Sequence, residues 1–260
     1  MTGVQTCALP ISPAGSRAIA AVLALACLAA TLRAAPANSP RDKIAVDDPS
    51  WHLDSSSDGI VLYSGSVPEV RVVPLKAVMT IPGSIEDVAL VLEDISRRGE
   101  WISNFGQSVL LERPNDYDQT EYLRVDPPWP AADRSAVVRV QVTVSDDASR
   151  ATIAAESVDS PLADRLPKLV RAQVHASTFQ MTQVGGRVEV VALVFIDPCG
   201  SVPKWIVNYF TRRGAHTTLS GLRRQVARRL YSPSQVAAMR RRIQGYRAFR
   251  DPGATLPAPR

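Results

Sequence analysis

The hydrophobic pattern of this chain changes period at Pro203. Ahead of it, between residues 60 and 196, apolar residues alternate with polar ones in short segments broken by turn signals; behind it they recur at helical spacing. The alternation is clearest over residues 134–144. Val138, Val140, Val142 and Val144 fall on one face there, and Arg139, Gln141 and Thr143 on the other, the two-residue repeat of a half-buried strand. Residues 60–64, 70–79, 107–112, 120–125, 151–157, 170–182 and 187–196 read as further strands, and Gly185-Gly186 between the last two is a hairpin signal. Residues 127–130 cannot form a central strand, because proline lacks the ladder donor. Ser84 reads as the N-cap of a helix over residues 85–95, with Glu86 and Asp87 in the first turn, where the helix dipole favours anions. A second short helical piece ends at Trp101 and Ile102. Pro203 suits the first turn of a helix, where its missing N–H costs nothing, and Val202, Ile206, Phe210, Leu219, Leu222 and Val226 keep helical spacing as far as residue 230. Gly214 interrupts that helix at a cost of about 1 kcal/mol relative to alanine. Many strands and one long terminal helix make the class α+β.

The N-terminal residues read as something other than fold. Residues 1–11, back-translated, resemble one frame of a short-read sequencing adapter and are expected to be an assembly artefact. Residues 12–37 have the layout of a secretory signal: Arg17, an apolar run over 18–32, and small residues at Ala35 and Ala37 for cleavage. The expected product is exported, periplasmic or secreted, with an uncleaved N-terminal anchor as the alternative. Residues 38–50 form a linker, 51–231 one domain, and 232–260 a basic helix over 235–246 followed by a disordered tail. Of three cysteines, only Cys199 lies in the domain, so an internal disulfide is not available and the core must stabilise the fold. The excess of Arg over Lys and the abundant Ala and Val fit a GC-rich bacterial genome.

Three spaced signatures narrow the fold further. Pro128-Trp129-Pro130 is followed by Asp133-Arg134, then by Leu169-Val170-Arg171, and finally by Asp197-Pro198-Cys199-Gly200-Ser201-Val202-Pro203-Lys204-Trp205-Ile206-Val207-Asn208. In this order and spacing, from Trp51 to Leu230, the chain resembles the START domain, the lipid-transfer domain related to the steroidogenic acute regulatory protein. The resemblance implies a helix-grip fold, a curved antiparallel sheet wrapped around a long C-terminal helix. It also implies a protein that binds and transfers a lipid or other apolar molecule in an internal cavity, as a monomer, with no cofactor and no catalysis. Cys199 stands where the family motif usually has glycine, and Ser135 where an aspartate usually follows the arginine.

The same resemblance, combined with strand faces, gives candidate cavity residues. Glu121, Leu123 and Val125 share one face of the strand over 120–125; Val138, Val140 and Val142 share a face of the next. Gln173 and His175 are polar candidates, and Ile206, Phe210 and Leu222 would line the underside of the helix. Glu121 falls where sterol-binding members place a buried acid, but their partner arginine aligns with Val140. The buried ion pair is therefore expected to be lost, leaving Glu121 either at a solvated rim or against a ligand hydroxyl. Asp133-Arg134 reads as a structural ion pair or turn.

No nucleophile elbow, phosphate loop or paired-cysteine zinc spacing is present, and His52, His175 and His216 are widely separated, so no metal site is expected. A helix-grip cyclase or hydrolase acting on a polyketide-like substrate is the enzymatic alternative. The charge is uneven: 13 of the 30 basic residues, but one of the 25 acids, follow residue 200. Such asymmetry points to an anionic partner. Arg223, Arg224, Arg228, Arg229, Arg240, Arg241 and Arg242 are the candidates for transient docking on an anionic membrane surface. Nucleic acid is disfavoured by export and by the scarcity of aromatic residues in the tail. A basic interaction module remains the other alternative.

Overall fold

Pairing of backbone amides across ten strands organises the chain into one sheet, which wraps a long helix. This computed structural model describes residues 45–250 apart from 69, 71 and 128–130. The expectations for residues 1–37, most of the 38–50 linker, the Pro128-Trp129-Pro130 signature and the tail beyond 250 lie outside the described residues. The strands are β1 (His52–Ser57), β2 (Ile60–Ser64), β3 (Leu75–Pro82), β4 (Phe105–Asn115), β5 (Asp118–Val125), β6 (Arg134–Val144), β7 (Arg150–Ser157), β8 (Val170–Arg171), β9 (Gln173–Val184) and β10 (Arg187–Asp197). The helices are α1 (Ile85–Glu93), α2 (Lys204–Ala227) and α3 (Pro233–Arg250), with 3-10 turns over Ile95–Glu100 and Pro161–Arg165. The strand order is β1-β2-β3-β10-β9-β7-β6-β5-β4, antiparallel throughout, with β8 set parallel on β6.

Several elements stand where the pattern places them. Ser84 caps α1 with its hydroxyl, and the Asp87 carboxylate accepts from the Ser84 backbone in return, a closed capping box. Other boundaries differ. The strand expected over 70–79 begins at Leu75, after Pro74. The strand expected over 170–182 is broken at Ala172, whose amide donates to the Ser135 carbonyl at 2.7 Å. β1 has no apolar alternation to announce it: all six residues are exposed, and it is held by backbone pairing with β2.

The register defines the face turned toward α2. Glu121 pairs with Val138, Val140 with Ala155, Ala155 with Ser177, Ile153 with Phe179, and Phe179 with Ala192. These residues share one face of the sheet, because side chains alternate along each strand. The main core forms where α1 and the second half of α2 cover this face. Val88, Val91 and Leu92 meet Leu219, Leu222 and Val226 over Met79, Met181 and Val190.

The basic C-terminal helix is part of that core rather than a separate appendage. Met239, Ile243 and Tyr246 of α3 are buried in it. Arg240 pairs with Glu86 at 2.7 Å, and Arg242 forks onto Glu93 at 2.8 and 2.9 Å, so α3 is tied to α1 two turns apart. Burial alone would push the Glu86 carboxyl up, but hydrogen bonds from Arg240, its own backbone and Ser84 hold it below its ordinary value. Tyr117 adds a bond to the Arg242 carbonyl at 2.7 Å and an edge-on contact with Tyr246.

Candidate functional site: an apolar cavity under helix α2

Small side chains leave a space between the first half of α2 and the sheet. Ala77, Ala192 and Ala215 face it, and a Cβ on Gly214 would find nothing within 4 Å. The resulting cavity measures about 310 Å³. Leu75, Phe179, Val194 and Ile196 form its sheet wall, and Ile206, Val207, Phe210 and Leu219 its helix wall. Ser103, Asn104, Pro127, Ala131, Pro198 and Val202, from three loops, close one end. Arg134, Thr211 and Thr218 are the other polar residues in the lining.

Three expected lining residues, Val125, Ile206 and Phe210, stand in this wall. The other eight do not. Leu123, Val138 and Val140 occupy the correct sheet face, but they pack with Ala136, Ala155, Val174 and Ile196 in an apolar cluster beside the cavity rather than in its lining. Val142 and Leu222 belong to the main core. Gln173 and His175 are displaced by a β-bulge. Phe195 pairs with Ala176 and Ile196 with Val174, so His175 is the extra residue on β9 and Val174 takes the inward place. The His175 ring lies 4.8 Å from that of Phe195, and burial lowers its pKa against the opposing pull of Asp197.

Glu121 is neither at a rim nor available to a ligand. It is fully buried, and its ion pair is present, supplied by Arg98 of the 3-10 turn in place of the residue aligned with Val140. Both nitrogens of the Arg98 fork reach the carboxylate, one of them at 3.1 Å; Ser108 donates to it at 3.0 Å, and the Gln119 amide donates to the other oxygen. Each carboxylate oxygen already has two donors.

Arg134 is the residue sequence reasoning missed. The turn or ion pair expected with Asp133 is replaced by backbone contacts: Nε donates to the Pro198 carbonyl at 2.9 Å, and Nη1 to that of Ala132. The signal was its parity, since residue 134 shares a face with 136 and 138. Cys199 adopts φ +54°, the left-handed region where glycine is relaxed, which accounts for the usual family residue at that place. Its amide is held by the Asp197 carboxylate at 2.8 Å.

The seven candidate docking arginines divide. Arg223 donates to the Asp58 carbonyl at 2.7 Å, Arg228 pairs with Glu100 at 2.6 Å, and Arg240 and Arg242 hold α3. Arg224, Arg229 and Arg241 have no side-chain partner among the described residues. A different surface stands beside the cavity. Trp205 is 72% exposed and Tyr209 55%, and with exposed Arg213 they form a stripe at four-residue spacing along α2. Lys204 is exposed next to them.

An antiparallel sheet that wraps a long C-terminal helix defines the helix-grip class, and here it leaves an apolar space against that helix. The START domain profile matches residues 33–229, and this chain belongs to the START family. An uncharacterized protein of Pseudomonas aeruginosa is 26% identical over 180 residues, covering 69% of this chain and 88% of that one. Human StAR-related lipid transfer protein 5 superposes with a TM-score of 0.65 at 18% identity, covering 70% of this chain and 88% of that one. The STAR-related lipid transfer protein of Xanthomonas axonopodis gives 0.60 at 24%, covering 68% and 99%.

Proposed function

We propose that this protein is a non-catalytic carrier, exported from a bacterial cytoplasm, that holds one lipid-class molecule under α2 and transfers it between membranes. The observation that carries the reading is the cavity itself, whose walls are apolar except for Ser103, Asn104, Arg134, Thr211 and Thr218. Its volume lies near the lower bound of about 300–1,000 Å³ for small-molecule sites. Native mass spectrometry of the purified chain, with lipid extraction, tests it. Wild type is expected to carry one copurifying lipid, and Val194→Trp to lose it with little change in fold, because a cavity accepts bulk that a packed core refuses. Lipid occupancy in Val194→Trp equal to wild type would place the ligand elsewhere.

Transfer requires contact with a bilayer, and the exposed stripe on α2 supports docking there. Tryptophan and tyrosine favour the headgroup level, and each nearby cation adds at most about 1 kcal/mol on an anionic surface. Trp205→Ala with Arg213→Gln is expected to slow transfer between anionic vesicles severalfold while leaving ligand occupancy intact, and salt is expected to weaken wild-type vesicle binding. Replacing Arg240 and Arg242 would instead loosen α3. Transfer unaffected by both salt and the α2 changes would refute docking through this stripe.

A further inference from the structure

Arg98 and Arg134 are both largely withdrawn from solvent, and they are treated differently. Arg98 meets the Glu121 carboxylate. Arg134 is 6% exposed and has no carboxylate within ion-pair distance among the described residues. It is also the single charged side chain among the described residues of the cavity wall. A buried charge without a counter-charge is costly, and two carbonyl oxygens compensate it in part. Those carbonyls occupy Nε and one hydrogen of Nη1. Nη2 makes no hydrogen bond to a described residue, and the Gly200 backbone of the 198–202 turn lies beside it, where even an added Cβ would make only an ordinary contact at 3.7 Å. Among the described residues nothing accepts from Nη2 or from the second hydrogen of Nη1, so the fork keeps donors to spare.

We propose that the missing counter-charge arrives with the cargo: the ligand is a single-chain amphiphile whose carboxylate is held by Arg134. This inference rests on the carrier reading and narrows it. A guanidinium edge presents two parallel donors at the spacing of a carboxylate's two oxygens. Arg134 stands near the loop-built end of the cavity, with Pro198, Val202 and Ala131, while Phe179, Ala192 and Leu219 continue an uncharged wall that also holds Thr211 and Thr218. A head at Arg134 therefore leaves its tail along β10 and α2. The volume of about 310 Å³ suits one hydrocarbon chain rather than two.

The test uses the delipidated full chain, titrated with laurate, 1-dodecanol and dodecyl phosphate, three heads on one tail. Wild type is expected to bind laurate about tenfold or more tighter than dodecanol, the gain typical of a charge-assisted hydrogen bond. Arg134→Gln is expected to remove the preference for laurate over dodecanol, and Arg134→Lys to keep part of it. Equal wild-type affinity for laurate and dodecanol would overturn the proposal while the carrier reading stands. Dodecyl phosphate binding as tightly as laurate would overturn the carboxylate assignment. If none of the three binds, this inference fails, and a copurifying lipid in the mass spectrum would still uphold the carrier reading. The wild-type comparison decides the matter even if Arg134→Gln does not fold.

Discussion

Glu121→Leu, with Arg98 left in place, is expected to destabilise the protein by about 3–5 kcal/mol, the usual cost of leaving one buried charge without its partner. Side-chain exposure is 11% for Arg98 and 1% for Glu121, so water cannot take over the lost interaction. The consequences spread beyond the pair. Ser108 donates to the carboxylate, and the Arg98 fork also reaches the Leu92 carbonyl at 3.4 Å, so the network joins β4, β5, the 3-10 turn and the end of α1. The double variant Arg98→Met with Glu121→Leu is expected to recover most of the loss, because replacing a whole buried pair by apolar groups is often near neutral. Urea unfolding of the two single variants and the double completes the cycle. Single variants within about 1 kcal/mol of wild type would mean that the pair is hydrated, as exposed pairs are.

Two glycines of α2 are expected to respond in opposite directions to the same substitution. A Cβ on Gly221 would lie 2.5 Å from the Trp101 carbonyl oxygen and 3.0 Å from its Cα. Both atoms are backbone and cannot swing aside, so the helix must move off the 3-10 turn. Gly221→Ala is expected to cost about 1–3 kcal/mol, as other overpacking changes do, despite alanine's better helix propensity. Gly214→Ala meets nothing and is expected to stabilise by up to about 1 kcal/mol, the propensity difference alone. Thermal or urea unfolding reads both. A gain in stability at Gly221 would show that α2 does not approach Trp101 this closely.

The sequence made most strands, the N-cap of α1 and the start of α2 legible, because period and turn chemistry are local. Position along a face was harder. Val138 and Val140 have the right parity, yet whether a residue on the correct face meets a cavity or a neighbour depends on what lies opposite, and that is a long-range property. His175 shows a second limit: one bulge inverts the parity of everything beyond it, and no residue type marks it in the chain. The partner of Glu121 was illegible for a third reason. Alignment looks for the arginine in the same strand, whereas Arg98 arrives from a different element and satisfies the same electrostatic demand. β1, polar except for an exposed Leu53, is visible only once β2 is there to pair with it.

The family profile ends at residue 229, but the hydrophobic interior does not. Met239, Ile243 and Tyr246 shield core surface that α1 and the sheet would otherwise show to water. The inherited unit and the cooperative unit thus have different C-terminal limits in this chain. A protease or an expression vector that respects the first limit leaves an apolar scar on α1, and sticky aggregates are the natural fate of such a product.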